Sequence, residues 1–337
     1  MRRIAVIGGG LIGRRHAAAV AAHPGCALAA VVDPDPAVVP PPGVPRVDVP
    51  DAVPSAVDGV IVATPTALHA EHGIDAARRG WHLLVEKPVA ADLAGALALA
   101  DAVEAAGVRA LVGHHRRHHP RVRRLRALVR DGAIGTPVTA TAIWAMRKPD
   151  AYFAGTWRAD SGSPVLINLV HDVDVLRFVL GEVEAVAGLP GASLRGAGRT
   201  ESGAVALRFA SGATAAISFA DTAPSPWGFE AGTGENPNIG ATGQDMLWIA
   251  GTEGGVAFPS LTVWRGRDWG EAAHIASGPE AVDGPAPLEA QLDHFLAVMD
   301  GAEPVVGIAD AARTLDVTLR IEAAMAPLDD GQARRAT

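Results

Sequence analysis

The chain has 337 residues, more than one hydrophobic core usually serves, so its length predicts about two domains. Hydrophobic residues make up 49% of the sequence and charged residues 20%, a balance that excludes a disordered chain. The net charge of −8 disfavours binding to nucleic acid or an anionic membrane, and the single cysteine, Cys26, excludes an internal disulfide framework. No apolar run approaches the roughly 20 residues of a membrane span, so we expect a cytoplasmic protein.

The first part of the chain, residues 1–118, alternates strand and helix patterns. Strands rich in Val, Ile and Leu that alternate with helices predict a doubly wound parallel sheet covered on both faces. The predicted strands are Ile4–Ile7, Ala27–Val32, Gly59–Ala63, Trp81–Val85 and Arg109–Val112. The first predicted helix runs from the residue after Gly13 to about Ala22, and two more cover Ala67–Arg79 and Leu93–Ala105. A Pro-rich link over 34–50 replaces one helix.

The rhythm changes near residue 120, which predicts a second domain over 119–337. Arg121–Arg130 has the spacing of an amphipathic helix, and short strand-like runs punctuated by Pro and Gly follow it. This pattern predicts an α+β domain with a large, mostly antiparallel open sheet. A Pro/Gly-rich stretch over 221–244 lacks periodicity and is a functional or disordered loop. Two helices, Leu288–Met299 and Asp310–Met325, complete the predicted domain.

A glycine motif follows the first strand and indicates a dinucleotide site. Gly8 permits a tight turn, Gly10 lets the backbone approach a pyrophosphate, and Gly13 allows close packing of helix on strand. Asp33 ends the next strand, where its carboxylate can bind a ribose diol and repel a 2′-phosphate, which favours NAD over NADP. The alternative is a glycine-rich turn that binds nothing. We predict cofactor contacts from Gly8, Gly10, Leu11, Ile12, Gly13 and Asp33.

Two further motifs stand at the carboxyl ends of predicted parallel strands, where open α/β sheets bind ligands. They are Thr64-Pro65 and Glu86-Lys87-Pro88. Lys87 is one of only two lysines among 29 basic residues, the other being Lys148. An ammonium group there can hold a carbonyl or alcohol oxygen, and when desolvated it can lose a proton. The alternative for Lys87 is a surface lysine paired with Glu86.

A second reacting group is predicted on a helix in the later domain. Asn168, His171 and Asp172 fall on one side of this helix, after Trp157-Arg158. His171 can accept a hydroxyl proton while hydride leaves the same carbon. The alternative is that His171 and Asp172 make a structural contact.

The tract from His114 to Arg126 is rich in histidine and arginine. Nucleic-acid binding conflicts with the acidic chain, and the four histidines have no carboxylate or cysteine at a recognisable metal-ligand spacing, so we expect no metal site. A solvated helix face and cofactor or substrate contacts by His114 and Arg117 remain the two alternatives.

Several motifs stand in one order along nearly the whole chain. They are Gly8-x-Gly10-x-x-Gly13, Asp33, Ala63-Thr64-Pro65 with His69, Glu86-Lys87-Pro88, and the distant His171-Asp172. In this order they resemble the glucose–fructose oxidoreductase / inositol dehydrogenase / rhizopine-catabolism (Gfo/Idh/MocA) family. The chain departs from the family at Ile167, where many members carry an aspartate four residues before the histidine; Asn168 follows one position later.

The resemblance implies a fold and a function. The fold is an N-terminal Rossmann domain followed by a C-terminal α/β domain whose open sheet often mediates homodimers or homotetramers. The activity is pyridine-nucleotide oxidoreduction of a sugar, inositol, sugar acid or related cyclic polyol. Lys87 and His171 are then the catalytic pair. The further implied cofactor residues are Thr64, Pro65, His69, Glu86, Lys87 and His114, and the implied substrate residues are Lys87, Trp157, Arg158, Asn168 and His171.

Two alternatives to an NAD-dependent dehydrogenase remain. A glycosidase of the same architecture oxidises its substrate transiently and releases no net NADH. A non-catalytic sensor binds nucleotide only, and has no chemical need for both Lys87 and His171.

Overall fold

The computed structural model describes residues 1–53, 56–153, 163–196, 200–266, 268–270 and 273–326. The chain forms two compact units. Of the described residues, the first unit contains those of Met1–His119 and Pro285–Asp316, and the second contains those of Pro120–Gly284 and Val317–Ala326. This division differs from the one expected at residue 118, because a late segment of the chain returns to the first unit.

The first unit is built on a parallel sheet, six-stranded within its described residues, in the order β3-β2-β1-β4-β5-β6. Its strands are β1 (Arg2–Ile7), β2 (Cys26–Val32), β3 (Arg46–Val47), β4 (Gly59–Val62), β5 (His82–Val85) and β6 (Ala110–Val112). Its first helices are α1 (Leu11–Ala22), α2 (His69–Arg78) and α3 (Leu93–Ala106). Chain order reverses direction across the sheet at β1 and β4, which pair with each other, and a crevice at such a switch point is the usual ligand site.

Apolar burial explains this sheet. All four residues of β4 and the last four of β1 are buried, as expected for parallel strands covered on both faces. The predicted doubly wound parallel sheet is therefore confirmed. The two-residue β3 lies in the Pro-rich link, where the sequence predicted neither helix nor strand.

The second unit carries a sheet that is eight-stranded within the described residues, in the order β14-β13-β12-β11-β7-β10-β9-β8. Its strands are β7 (Pro137–Ala145), β8 (Val183–Pro190), β9 (Ser202–Phe209), β10 (Thr214–Ala220), β11 (Leu247–Gly251), β12 (Gly254–Phe258), β13 (Val263–Arg265) and β14 (His274–Ser277). Its helices are α4 (Pro120–Arg130), α5 (Val170–Leu180) and the short α6 (Phe229–Thr233). Only β7 and β10, among these described strands, pair in parallel, so the predicted mostly antiparallel sheet is confirmed.

One face of this sheet is buried and the other is exposed. In β9 and β10 the buried and exposed residues alternate strictly over most of each strand. The buried positions join a core cluster with the apolar faces of α4 and α5, including Leu125 and Leu176. The stretch over 221–244 contains α6, whose Phe229 stacks on Phe258 at a ring-centroid distance of 5.5 Å. This part of the stretch is therefore packed against the core.

The last helices are α7 (Pro287–Met299) and α8 (Ile308–Ala324). Leu292, Phe295 and Met299 of α7 belong to the core cluster of the parallel sheet, together with residues of β1, β4 and β5. Their i, i+3, i+7 spacing places them on one helical face, which explains why α7 belongs to the first unit. Within the described ranges, no helix combines the length and the apolar character that crossing a bilayer requires.

Candidate active site

The turn between β1 and α1 has the backbone geometry that the glycine motif predicted. Gly8 has a φ of 100°, which favours glycine, and a Cβ there would lie 2.6 Å from the Ala63 carbonyl oxygen. A Cβ on Gly13 would lie 1.9 Å from the Gly8 oxygen. A Cβ on Gly10 would meet no described atom within 4 Å. Gly8 and Gly13 are therefore required by packing, whereas the space beside Gly10 is open for a ligand.

The open space lies at the N-terminus of α1, where Gly10 caps the helix without a side-chain hydrogen bond and the first turn has no acidic residue. The backbone N–H groups of this turn and the helix dipole can therefore act on an anion such as a pyrophosphate. Leu11 is exposed, and Ile12 packs against the core cluster. These residues fit the phosphate portion of a dinucleotide.

Asp33 follows β2 and stands beside the glycine turn. Its Oδ2 accepts a hydrogen bond from the Gly9 N–H at 2.6 Å, and its Oδ1 accepts one from the Asp35 N–H at 2.9 Å. These bonds orient the half-buried carboxylate, and each oxygen keeps a lone pair for a ribose hydroxyl. The position and orientation of the Asp33 carboxylate are thus compatible with a ribose ligand.

His69 joins the strand ends that carry Thr64-Pro65 and Lys87-Pro88. Its Nδ1 lies 2.7 Å from the Pro88 carbonyl oxygen and its Nε2 lies 2.8 Å from the Thr64 carbonyl oxygen. Burial lowers the pKa of the His69 imidazole, and the two carbonyls oppose that shift. The Thr64 hydroxyl is buried and has no hydrogen-bond partner among the described residues, while Pro65 is exposed. His69 therefore connects the two loops through its ring nitrogens.

Glu86 connects the lysine loop to the cofactor helix. Its Oε1 lies 2.8 Å from Nε2 of His16 on α1, and its Oε2 accepts a hydrogen bond from the Lys87 N–H at 3.1 Å. Burial alone raises the pKa of the Glu86 carboxyl, but the His16 hydrogen bond and the nearby positive charges outweigh burial and lower the pKa to about 2. Glu86 is therefore ionised and fixes the backbone of Lys87 against α1.

Lys87 is half-buried at the carboxyl end of β5, and its peptide bond to Pro88 is cis. The half-burial of Lys87 differs from the alternative of a surface lysine. The first unit thus brings together the glycine turn, Asp33, Thr64, His69, Glu86 and Lys87 at one edge of its sheet.

The histidine- and arginine-rich tract has two parts: most of His114–His119 is buried, whereas Arg123, Arg124 and Arg126 on α4 are exposed, so a solvated helix face describes only the second part. His114, Arg116 and Arg117 are each less than 5% exposed. Arg117 Nη1 donates to an Asp310 oxygen at 2.5 Å and to the Val305 carbonyl at 3.4 Å. Arg117 therefore ties the end of β6 to the returning segment of the first unit. Among the described residues, no cluster of histidine, cysteine and carboxylate side chains has a metal-binding arrangement.

The second unit carries His171 on α5, with 7% of its surface exposed, beside the buried Asp172. Val165–Leu169 forms a π-helical turn that runs directly into α5 and contains Asn168. A π turn holds more residues than an α turn, so it changes which side chains before His171 share its face. Asn168 and His171 remain about one turn apart on one continuous helical segment. Trp157 and Arg158 lie outside the described residues.

Sequence reasoning missed a contact of Asn168. Its Oδ1 accepts a hydrogen bond at 2.6 Å from Nζ of Lys148, which is almost fully buried. The available signal was composition, because Lys148 is the second of only two lysines in an arginine-rich chain. The other missed connection joins His16 to Glu86, 70 positions later in the chain, and no local spacing links residues so far apart.

The strand order, the glycine turn and the acid after β2 define the first unit as an NAD-binding Rossmann domain. A family model described as "Oxidoreductase family, NAD-binding Rossmann fold" matches residues 2–114, and the Gfo/Idh/MocA C-terminal domain model matches residues 122–257. The chain belongs to the Gfo/Idh/MocA oxidoreductase family.

Individual relatives agree with this assignment. A 1,5-anhydro-D-fructose reductase of Ensifer adhaerens is 36% identical over 55% of this chain and 57% of its own length. Inositol 2-dehydrogenase of Rhizobium meliloti is 33% identical over 64% of this chain and 68% of its own length. The chain thus spans only about half to two thirds of the lengths of these relatives. The WlbA dehydrogenase of Bordetella pertussis, solved with NADH and UDP-GlcNAcA, has a TM-score of 0.78 and 20% identity, covers 97% of this chain and 98% of its own, and supports the fold.

Proposed function

We propose that this protein is an NAD-dependent oxidoreductase that transfers a hydride between nicotinamide and a secondary alcohol or ketone. Its substrate class is a sugar, inositol, sugar acid or related cyclic polyol, the class to which the names of the reductase and dehydrogenase relatives point. The observation that carries the proposal is the position of Lys87. This lysine stands at the same sheet edge as the dinucleotide turn and is fixed from behind by Glu86 and His16.

In this reaction the chain's own residues position oxygen and move a proton. NAD, when bound at the glycine turn, supplies the hydride acceptor. Lys87 donates a hydrogen bond to the reacting oxygen and thereby assists proton transfer. His171 accepts the hydroxyl proton during oxidation and returns it during reduction. Asn168 hydrogen-bonds the substrate beside His171.

NADH absorbance tests the proposal with purified protein, NAD, and a panel of sugars, inositols, sugar acids and cyclic diols. We expect NADH to form with one compound class, with NADP a poorer cofactor. Lys87→Met and His171→Ala are each expected to lower kcat at least a hundredfold while the Kd for NAD stays within a few-fold. Near-normal turnover in both variants would reject the assigned roles. Glycoside cleavage without net NADH would instead indicate the glycosidase, and NAD binding without either reaction would indicate the sensor.

We also propose that the exposed sheet face of the second unit forms a homodimer or homotetramer interface. This face carries Trp248, which is 37% exposed, and Ile275, which is 59% exposed, among small residues such as Ala206 and Ala216. Exposed apolar side chains on a wide sheet favour burial against a second copy. Light scattering after gel filtration is expected to give a mass above 34.5 kDa that Trp248→Glu reduces to the monomer value. A monomeric wild type would exclude this interface.

We further propose a cytoplasmic location, which the composition supports through its single cysteine.

A further inference from the structure

Lys148 is a buried cation of the second unit that the proposed reaction does not use. It follows β7, and only 8% of its surface is exposed. Its Nζ donates to Oδ1 of Asn168 at 2.6 Å and lies 5.5 Å from the ring centroid of Trp144 and 5.0 Å from that of Tyr152. Cations at such distances from aromatic faces are stabilised electrostatically. The ammonium group therefore has a defined position beside the Asn168 amide.

The backbone of Lys148 is fixed from both sides. Its N–H donates to the Asp221 carbonyl oxygen at 2.9 Å, and its own carbonyl oxygen accepts a bond from Arg195 Nη2 at 3.1 Å. Arg195 in turn donates to Oδ1 of Asp221 at 2.5 Å. Together with the burial of the side chain and its bond to Asn168, this backbone leaves the ammonium group little freedom to lose on binding, which is the arrangement expected of a built binding site.

Asn168 and Trp144, which both contact the Lys148 ammonium, each carry a further hydrogen-bond donor. An ammonium group only donates, so the Asn168 oxygen must face it, and the Nδ2 group of the same amide remains a donor. Trp144 is 1% exposed, and its Nε1 donor has no hydrogen-bond partner among the described residues. A cluster of a cation and two neutral donors fits an acceptor-only ligand. An ionised carboxylate only accepts, whereas a hydroxyl brings a hydrogen of its own.

Asn168 links this cluster to His171, which lies three residues further along the same helical segment. Residues at this spacing have Cβ atoms about 5–6 Å apart, a separation that one sugar ring and its substituent can span. We propose that Lys148, Asn168 and Trp144 form a subsite for a carboxylate of the substrate, so that this chain acts on an acidic sugar or cyclic polyol acid in preference to a neutral one. The inference rests on the proposed function, in which His171 marks the reacting carbon.

Calorimetric titration of the NAD-loaded full chain tests the subsite with two matched pairs of probes. D-Glucuronate is compared with D-glucose, and D-galacturonate with D-galactose, because each pair differs by one carboxylate. The variants are Lys148→Met, which removes the charge, Lys148→Arg, which keeps it, and Asn168→Asp, which neutralises the ammonium and repels an anion. Arg147→Met removes the same charge from the exposed neighbouring residue and is the matched control. Thermal unfolding of each variant confirms that it is folded.

The wild type is expected to bind a uronate at least tenfold more tightly than its neutral partner. Lys148→Met and Asn168→Asp are expected to remove this preference, while Arg147→Met keeps it fully and Lys148→Arg keeps part of it. The absence of a preference in the wild type, including failure to bind any of the four sugars, would overturn the subsite, and so would a preference that survives in folded Lys148→Met.

NADH absorbance in the same samples separates the two proposals. A uronate preference that depends on Lys148 without NADH formation rejects the reaction and retains the subsite. NADH formation from the neutral sugars alone supports the reaction and rejects the subsite.

Discussion

At the scale of single residues, the buried charge of Glu86 connects α1, through His16, to the backbone of Lys87 after β5. The carboxylate is buried, and it receives a hydrogen bond from the Lys87 N–H while it contacts His16. Its pKa in the folded protein, about 2, lies below the ordinary value of 4.5. A carboxyl whose pKa falls on folding stabilises the fold at pH values above its ordinary pKa, and this contribution is lost as pH falls toward its folded pKa.

Glu86→Gln is therefore expected to lower the free energy of unfolding by about 3 kcal/mol at pH 7, since it removes a buried negative charge that the fold stabilises. The difference from wild type is expected to shrink as pH falls from 4.5 toward 2. Urea unfolding at pH 7, 5 and 3 measures it. Asp48→Asn, at an exposed pair with Arg46, is the control and is expected to change stability by less than about 1 kcal/mol. A difference for Glu86→Gln that does not vary with pH would contradict the assigned charge state.

His69 illustrates a different residue-scale constraint, because both of its ring nitrogens face carbonyl oxygens. A neutral imidazole has one N–H and can satisfy one of them, so removing the ring leaves at least one carbonyl without its donor. His69→Ala is expected to cost about 1–3 kcal/mol in stability and to reduce kcat more than it weakens NAD binding. His69→Asn keeps an amide donor and is expected to recover part of kcat. Equal effects of both variants on kcat and on the Kd for NAD would argue against a positioning role.

At the scale of elements, the turn between β1 and α1 contains two glycines that differ in the space around them: a Cβ has room at Gly10 but not at Gly13. Gly10→Ala introduces a methyl group into open space at a backbone conformation that alanine adopts, so the unfolding temperature without ligand is expected to stay within about 2 °C of wild type. The same methyl group blocks close approach of a pyrophosphate, and NAD is expected to bind at least tenfold more weakly. Gly13→Ala, whose Cβ meets the Gly8 oxygen, is expected to unfold at a markedly lower temperature. Calorimetry and NAD titration measure both variants. Wild-type affinity for NAD in Gly10→Ala would refute a pyrophosphate site at this turn.

The elements that the sequence predicted well are those in which local pattern and tertiary burial agree. The amphipathic spacing of Val122, Leu125 and Val129 predicted α4, and all three are buried. The two-residue β3 has too few residues to show any periodicity. The π turn over Val165–Leu169 also escaped prediction, because apolar spacing does not distinguish a π turn from an α turn. The Lys148–Asn168 contact depends on that turn and on the end of β7, elements that meet only in the fold.

At the scale of the whole molecule, the two compact units are not continuous in sequence, because residues 285–316 belong to the first unit. The apolar pattern of 287–299 correctly predicted a helix, but no local signal indicates which sheet that helix covers. The two surfaces are complementary, because Gly59 of β4 leaves space that Phe295 and Met299 of α7 fill. A Cβ on Gly59 would lie 3.1 Å from the Phe295 ring and 2.9 Å from the Met299 sulfur. A glycine inside a strand often marks such a close approach.

Phe295 and Phe209 form a matched pair for testing this arrangement, because both rings are fully buried, one in the core of each unit. Either phenylalanine-to-alanine substitution is expected to cost about 3–5 kcal/mol in the unit that contains it. Native-state hydrogen exchange is expected to show Phe295→Ala accelerating exchange in β1 and β4, more than 230 residues away in sequence, while β9 and β10 keep wild-type protection. Phe209→Ala is expected to give the reverse pattern. If Phe295→Ala instead exposed β9 and β10 and left β1 and β4 protected, α7 would stabilise the second unit, and the first unit would be complete without the returning segment.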